Sequence, residues 1–403
     1  MIARIPYPKF GAGPGLERVA RIAGELGLDL SSFGAQGAVI VGSNGKGSTA
    51  AMTSAILHGA GASVGLFTSP HLFELNERFR IDEEDISDAE LQHHWRRVSD
   101  AAELAGEAPN LGGFEFLFLI AADWFAARDC THTIWEAGIG GRLDPVRLIQ
   151  ARRLALTALD LEHTNLLGST LAEIARDKID ASPAGARLFV TEETPAQSEI
   201  TAHCAERGVE LKLVKFLGTA PLAGDHQRAN AALAAALVRD MASPSQADIA
   251  RGLLATRWPG RLEALQREPL VVIDVGHTPD GVRRALEGFE AMRGGLPGVL
   301  ICGVSADKKS EEIVSALAPS FATVVCAAAA HKGAPAAEIA AHAQAANPAA
   351  EIIIADSVRD AYATALVRAG AQGAAVYAAG GLFLAAEVRA VHFGRDPAAL
   401  AFF

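Results

Sequence analysis

Short apolar runs alternate with longer stretches of helical periodicity along almost the whole chain, the pattern of an α/β fold built on parallel sheets. In the first part the pattern predicts strands at 38–41, 64–67, 133–136, 155–159 and 188–190, with helices over 46–59, 87–106, 113–128, 170–180, 194–207, 226–241 and 246–254. At Thr256-Arg257-Trp258-Pro259-Gly260-Arg261 a Pro-Gly pair stops the last of these helices. A second alternating series follows, with strands expected at 270–273, 299–302, 323–326, 351–354 and 374–377 and helices at about 280–292, 309–318, 335–345, 357–369 and 382–391. The boundary between two domains is placed near residue 256, dividing 1–255 from 256–403, and the second part is long enough for its own core. No internal repeat or low-complexity linker breaks the pattern, and the alanine-rich stretch 229–236 reads as helix.

With 403 residues, half of them hydrophobic, the chain can build two ordinary cores. A net charge of −11 argues against a nucleic-acid partner and against adhesion to an anionic membrane. Cys130, Cys204, Cys302 and Cys326 are far apart and form no CxxC pair, which fits a reducing compartment and neither a disulfide framework nor a zinc site. The opening residues, Met1-Ile2-Ala3-Arg4-Ile5-Pro6, lack the apolar stretch of a secretory signal. The most apolar run, 114–127, is interrupted by Glu115, Asp123 and Trp124 and reads as a buried helix, not a membrane span. A soluble cytoplasmic protein is expected.

Between the first predicted strand and helix stands Gly42-Ser43-Asn44-Gly45-Lys46-Gly47-Ser48-Thr49. A strand, a glycine-rich turn and a helix aim backbone N–H groups and a helix N-terminus at one point, which suits a phosphate. Lys46 can lie against distal phosphates, and a hydroxyl of Ser48 or Thr49 can reach a magnesium ion. A nucleoside triphosphate is the first substrate these residues suggest. The common signature ends Gly-Lys-Ser/Thr; here a glycine follows the lysine and the hydroxyl pair comes one residue later. That variant points away from GTPases and ordinary kinases and toward ATP-dependent amide ligases.

Glu136 ends a predicted strand and is followed by Ala137-Gly138-Ile139-Gly140-Gly141-Arg142-Leu143-Asp144. Ligands of open α/β sheets gather at the carboxyl ends of strands, and a carboxylate beside a triphosphate suits magnesium, which prefers oxygen donors. His163, in Asp160-Leu161-Glu162-His163-Thr164, lies in a loop expected beside Glu136 and is a candidate ligand of a second metal. Lys178, taken alone, reads as a solvated helix lysine. The segment Thr68-Ser69-Pro70-His71-Leu72, leading to Asn76-Glu77-Arg78, reads as a polar turn with a solvated charge pair.

In order, these motifs resemble the folylpolyglutamate synthase/dihydrofolate synthase family, a branch of the Mur-type ligases. The resemblance continues through Asp225-His226-Gln227-Arg228-Ala229-Asn230, Pro259-Gly260-Arg261, Asp274-Val275-Gly276-His277-Thr278-Pro279 and Gly303-Val304-Ser305-Ala306-Asp307-Lys308-Lys309, and so covers nearly the whole chain. It implies a P-loop-type parallel-sheet ATP-binding domain followed by a smaller Rossmann-like α/β domain that carries the amino acid. It also implies that Asn44, Gly45, Lys46, Gly47, Ser48 and Thr49 hold the ATP phosphates. Ser69 and Glu136 would hold one Mg²⁺, and Glu136 and His163 would share a second with Lys178 carbamylated by CO₂. His226 and Asn230 would lie near adenine, Arg261 and Asp274 at phosphate and ribose, and His277 near the γ-phosphate. Ser69, Pro70, Arg78, Phe114, Asp144, Thr278 and Gly381 are the expected substrate neighbours.

The implied reaction is amide formation. A carboxylate takes the γ-phosphoryl group of ATP, an amine attacks the acyl phosphate, and phosphate leaves. Dihydropteroate or a reduced folate is the expected acid and L-glutamate the expected amine, with small molecules as the only partners and a monomeric enzyme. Three departures fall on the substrate side: Pro145-Val146-Arg147 follows Asp144 where the family has x-Thr-Asn, His277-Thr278-Pro279 replaces His-Asn-Pro, and Gly380-Gly381 replaces Gly-Ser. Two alternatives therefore stand beside the first reading. One is a paralogue that ligates a different amino acid or acid; the other is a nucleotide-binding NTPase without ligase activity.

Overall fold

The computed structural model describes residues 13, 15–215, 220, 222–400 and 402. The reading of the first six residues lies outside them. In chain order the first part forms α1 (Leu16–Glu25), β1 (Gly37–Val41), α2 (Lys46–Gly59), β2 (Val64–Phe67), β3 (Phe79–Ile81), β4 (Glu84–Asp85), α3 (Asp88–Leu104), α4 (Gly113–Ala127) and β5 (His132–Glu136). It continues through β6 (Arg153–Leu156), α5 (Thr164–Leu167), α6 (Leu171–Ile179), β7 (Arg187–Thr191), α7 (Gln197–Arg207), β8 (Glu210–Val214), α8 (His226–Ala242) and α9 (Gln246–Ala255). Its sheet has the order β4-β3-β2-β5-β1-β6-β7-β8. All pairings are parallel except those of β3 with β2 and β4.

β1 lies at the centre, and all five of its residues are buried. That explains its unbroken apolar sequence, because a strand covered on both faces needs no polar alternation. The period of two decides the partners. Ala38 and Ile40 pack with Met52 and Ile56 of α2 and Leu233 and Leu237 of α8. Val39 and Val41 join Phe118 and Phe125 of α4 and Trp135 of β5 on the other face.

The second part forms β9 (Glu263–Arg267), β10 (Leu270–Ile273), α10 (Pro279–Arg293), β11 (Gly298–Cys302), α11 (Ser310–Leu317), β12 (Thr323–Cys326), α12 (Ala336–Ala346), β13 (Glu351–Ile354), α13 (Val358–Gln372), β14 (Ala375–Ala379) and α14 (Leu382–His392). The sheet order is β13-β12-β11-β14-β10-β9, with only β9 antiparallel. Leu72 and Phe73, from the first part, are buried in the same apolar cluster as Val271, Ile273 and Val275.

The expected strands and helices are present, with differences. β3, β4, β8 and β9 were not anticipated; they are short or carry charged residues that mask the alternation of an edge strand. Helix α1, whose Val19, Ile22 and Ala23 sit at helical spacing and are buried, was also missed. The strand expected at 155–159 runs over Arg153–Leu156, and Thr157 beyond it donates its hydroxyl to the Val41 and Asn44 carbonyls. Among the described residues no helix is long and apolar enough to cross a membrane.

Candidate functional site

The glycine-rich loop leaves the carboxyl end of β1 and is braced from behind by the end of β6. Ser43 and Asn44 donate their N–H groups to the Ala158 carbonyl at 2.8 and 3.3 Å, and the Thr157 hydroxyl donates to the Asn44 carbonyl at 2.7 Å. Gly45 has φ +87°, and a Cβ there would lie 2.5 Å from Asn230 Oδ1. The glycine thus permits both a left-handed turn and close approach of α8. Asn230 is buried and bonds Gln227 Oε1 at 2.9 Å, and Gln227 reaches the Ser48 hydroxyl at 3.4 Å. Asn230 therefore supports the loop from below and does not face open space. The Thr49 hydroxyl is buried and has no partner among the described residues.

Two lysines converge on one carbonyl. Lys46 Nζ donates to Gly42 O at 2.9 Å and to Ser43 O at 3.4 Å. Lys178 Nζ donates to the same Gly42 oxygen at 3.1 Å and to Glu162 Oε1 at 2.9 Å. Lys178 is buried, contrary to a solvated helix lysine. Burial pushes its amine below the ordinary lysine range; Glu162 opposes this and Lys46 adds to it. For Glu162 burial favours protonation, but Lys46 and Lys178 outweigh it and hold the carboxyl at about 2. α6 reaches this point because Gly140 and Gly141 leave room: a Cβ on Gly141 would lie 2.5 Å from the Lys178 carbonyl oxygen. Asp177 pins the turn, accepting from Gly141 N–H at 3.0 Å and from Arg142 Nε at 3.1 Å.

Glu136 is buried at the end of β5 and accepts the Ser69 N–H at 2.9 Å. Burial raises its pKa, while Lys46, Arg261 and Arg78 act against the rise. Its second oxygen accepts no hydrogen bond from the described residues. His163 has φ +46°, and burial lowers its pKa against the pull of Glu162, which favours the neutral imidazole that a metal ligand requires. Among the described residues no three His, Cys, Asp or Glu side chains gather into a metal cage. Magnesium does not require one, since it takes one or two carboxylates and fills its shell with water and phosphate.

Three expected substrate neighbours are turned inward. Asp144 is buried and accepts from Gly138, Ile139 and Val146 N–H at 2.9, 3.2 and 3.0 Å, so both of its oxygens organise the loop after β5. Burial lifts its carboxyl to about 6. Phe114 lies behind that loop, where a Cβ on Gly138 would come within 2.9 Å of its ring, and packs on Phe67 at 5.6 Å. Arg78 is buried, bonds His71 Nδ1 through Nε at 2.9 Å, and is pushed down to about 9 by burial. These side chains belong to the wall of the site.

The opposite wall comes from the second sheet. A cleft between the two parts is lined by Gly47, Ser69, Pro70, Glu136, Trp258 and Arg261. The Trp258 ring covers Gly47, where a Cβ would meet it at 2.8 Å, and Arg80 lies over the indole at 5.6 Å. The Arg261 Nε is buried without a partner among the described residues. Asp274 is fixed by Gly276 and Leu262 N–H at 2.7 and 3.1 Å. His277 bonds the Val275 carbonyl through Nδ1 at 3.2 Å, which leaves Nε2 unprotonated; burial and the Lys308 charge push it down to about 4. His226 at the start of α8 is likewise pushed to about 4 by burial, then by Arg261. Thr278 caps α10 and accepts from Asn44 Nδ2 at 3.2 Å, joining the loop directly to the second part. Gly381 precedes α14, and the nearest side chain to a Cβ there would be Ser305, 3.7 Å away. Trp258, Arg80, Gln227 and Glu162 were not singled out from the sequence; only the proximity of Trp258 to Pro259-Gly260-Arg261 marked it.

A glycine-rich loop at the head of one sheet, closed by a second α/β unit, defines a Mur-type ligase, and residues 260–382 match the family model described as "Mur ligase, glutamate ligase domain". The chain is 36% identical over 299 residues to a probable bifunctional folylpolyglutamate synthase/dihydropteroate synthase of Halobacterium salinarum, which covers 67% of this chain and 37% of that one. It is 30% identical over 315 residues to the dihydrofolate synthase/folylpolyglutamate synthase of Bacillus subtilis, covering 69% and 73%. The structure superposes on Mycobacterium tuberculosis folylpolyglutamate synthase complexed with ADP and AMPPCP with a TM-score of 0.88, 25% identity and coverage of 95% and 96%. A Yersinia pestis bifunctional folylpolyglutamate synthase/dihydrofolate synthase with Mn, AMPPNP and L-glutamate bound gives 0.81, 28%, 96% and 95%. The chain belongs to the folylpolyglutamate synthase/dihydrofolate synthase family. It spans less than half of the length of the Halobacterium relative.

Proposed function

We propose that this protein is an ATP-dependent amide ligase that joins L-glutamate to dihydropteroate, to reduced folates, or to both, through an acyl phosphate, and releases ADP and phosphate. The observation that carries the proposal is a charge cluster that spans the two parts: Glu136 and Arg261 line the cleft between them, and Lys46 lies close enough to Glu136, Lys178 and His277 to act on the charge of each. ATP would lie along residues 44–49 with Lys46 and Arg261 against its phosphates. The substrate carboxylate oxygen attacks the γ-phosphorus and ADP departs. The amine then attacks the acyl carbon and the C–O bond to phosphate breaks. His277 presents an unprotonated Nε2 and would take the proton that the amine must shed, once bound phosphate offsets the burial that depresses its basicity. Mg²⁺ at Ser69, Glu136, His163 and Lys178 would screen the phosphate charge. The Glu136 oxygen that no described residue bonds, and the His163 imidazole whose neutral form burial favours, fit that duty.

Carbamylation of Lys178 belongs to the same proposal. CO₂ would add to the neutral amine, which burial favours, the N–C bond forming as the nitrogen releases one proton to solvent, and isotope-labelled bicarbonate followed by NMR tests it. We divide the roles at residue 256, with phosphate and metal before it and the amino acid after it. The enzyme would be a cytoplasmic monomer acting on small molecules, without nucleic-acid or membrane partners.

Incubation with ATP, dihydropteroate and L-glutamate is expected to yield ADP and dihydrofolate, and Lys46→Ala should lower the rate at least ~100-fold, the scale of losing one charge-stabilising donor. Full activity of that variant would refute the site. One observation favours ligation of a different amine: the Thr278 hydroxyl is taken up by Asn44 and Gly381 offers no side chain. Turnover with another amino acid and none with glutamate would establish that reading. ATP hydrolysis independent of any acid–amine pair would instead make the protein a plain NTPase.

A further inference from the structure

Four consecutive residues after Pro70 each touch the second part of the chain. His71 stacks on Phe402, with ring centroids 5.6 Å apart and planes 6° from parallel. Leu72 packs at Gly260, where a Cβ would meet it at 3.2 Å. Phe73 lies under the Arg389 guanidinium at 4.4 Å, and Arg389 is itself held by Glu263 at 2.8 Å. Glu74 pairs with Arg395 at 3.3 Å. The loop is stiff on its own side too, because Glu77 accepts the N–H groups of Leu72, Phe73 and Glu74 at 2.7, 3.0 and 3.1 Å.

Phe402 is the centre of a ring cluster that straddles the two parts. It packs edge-on against Phe383 at 4.7 Å and tilted against His331 at 5.3 Å, and His331 meets Phe383 at 4.5 Å. Phe383 lies in the first turn of α14, two residues from Gly381, and His71 lies two residues from Ser69, whose N–H bonds Glu136. One aromatic ring therefore links the α14 end of the cleft to the Glu136 corner.

We propose that Phe402 is a positioning residue: it clasps His71 onto the second part of the chain and so holds the loop that presents the Ser69 N–H to Glu136. Stacked and edge-on ring pairs have defined geometry, whereas an aliphatic contact would permit the loop to slide. His71 in turn accepts from Arg78 Nε, so the clasp also fixes a cation that faces Glu136. This inference rests on the proposed reading of Glu136 as a magnesium ligand only where activity is measured; the mechanical link does not need it.

The test uses the full chain with Phe402→Ala and Phe402→Leu, and with Phe402→Tyr as the conservative rescue. Amide hydrogen exchange over residues 71–78 should speed up roughly two- to tenfold in the first two variants, the range one aromatic contact supports, and return to the parent rate in the third. Exchange in β1 should stay unchanged and serves as the folding control. In the ligase assay the magnesium concentration for half-maximal rate should rise by a similar factor, with the KM for ATP unchanged. Unchanged exchange over 71–78 in Phe402→Leu with β1 intact would overturn the proposal. Equal acceleration in Phe402→Tyr would overturn it as well. If the parent chain lacks ligase activity but the exchange result holds, the clasp stands and the functional reading falls.

Discussion

Asp144 illustrates how a side chain that looks like a substrate ligand can be committed to its own loop. Its carboxylate takes three backbone N–H groups, and burial still lifts it from the ordinary aspartate range to about 6. The folded state therefore binds the proton more tightly than the unfolded chain. Its ionised form is a cost to the fold above pH 6, and that cost disappears as pH falls from about 6 toward 4. Relative to Asp144→Asn, the parent should gain stability on acidification from pH 7 to 4 by up to ~3 kcal/mol, from about two units at ~1.4 kcal/mol each. Denaturant unfolding of both proteins across that range measures the difference. Thr278 shows the same economy of groups. One hydroxyl caps α10 and receives Asn44, so the residue that departs from the family pattern is a bridge between the two parts.

At the scale of elements, the site depends on where helices can come close. α6 brings Lys178 to the Gly42 carbonyl only because Gly141 leaves space for the Lys178 backbone. Gly141→Ala would place a Cβ 2.5 Å from that carbonyl oxygen and 3.0 Å from the Asp177 oxygen. The clash is with backbone, so α6 must shift. Expected are a loss of ~1–3 kcal/mol, the usual cost of overpacking, and a fall in ligase rate greater than the stability loss explains. Gly370→Ala is the control: it sits in α13 with open space around it and should raise stability by ~0.5–1 kcal/mol. Thermal melts and initial rates of the two variants separate the outcomes. The elements themselves were legible in the sequence wherever burial imposes a pattern: β1, β10 and β14 are unbroken apolar runs, and α3 and α10 carry clear helical faces. β3, β4 and β9 were not: β3 and β4 are only three and two residues long, and the edge strands β4 and β9 carry charges such as Glu84 and Glu263 that local pattern cannot distinguish from a loop. The candidate site was legible as a proposal where spacing carries it, as in residues 42–49 and Glu136. Lys178, Glu162 and Trp258 acquire their surroundings only through folding, and their own neighbours in sequence say nothing of burial or of a facing carbonyl.

At the scale of the whole molecule, the two sheets share apolar surface and are more than tethered by a linker. Leu72 and Phe73 leave the first sheet's loops and enter the core formed by β10, β11, β14 and helices α13 and α14. Phe73 is 9% exposed and lies beneath Arg389, which is anchored to Glu263 of β9. A buried contact of this kind makes unfolding of either part expose surface belonging to the other, so a single cooperative transition is expected for the intact chain. Phe73→Ala removes a ring from that shared core and the cation–π contact with it. The direct cost should be ~3–5 kcal/mol for the truncation, charged mostly to the coupling between the parts and less to either sheet. Differential scanning calorimetry of the variant should then show two separated transitions where the parent shows one, and the lower should shift upward on addition of ATP with magnesium, because on the proposed reading the nucleotide would bind between both walls. A single transition displaced downward as a unit would mean that the sheets are coupled elsewhere, through the Asn44–Thr278 bond or the packing of Trp258 on Gly47.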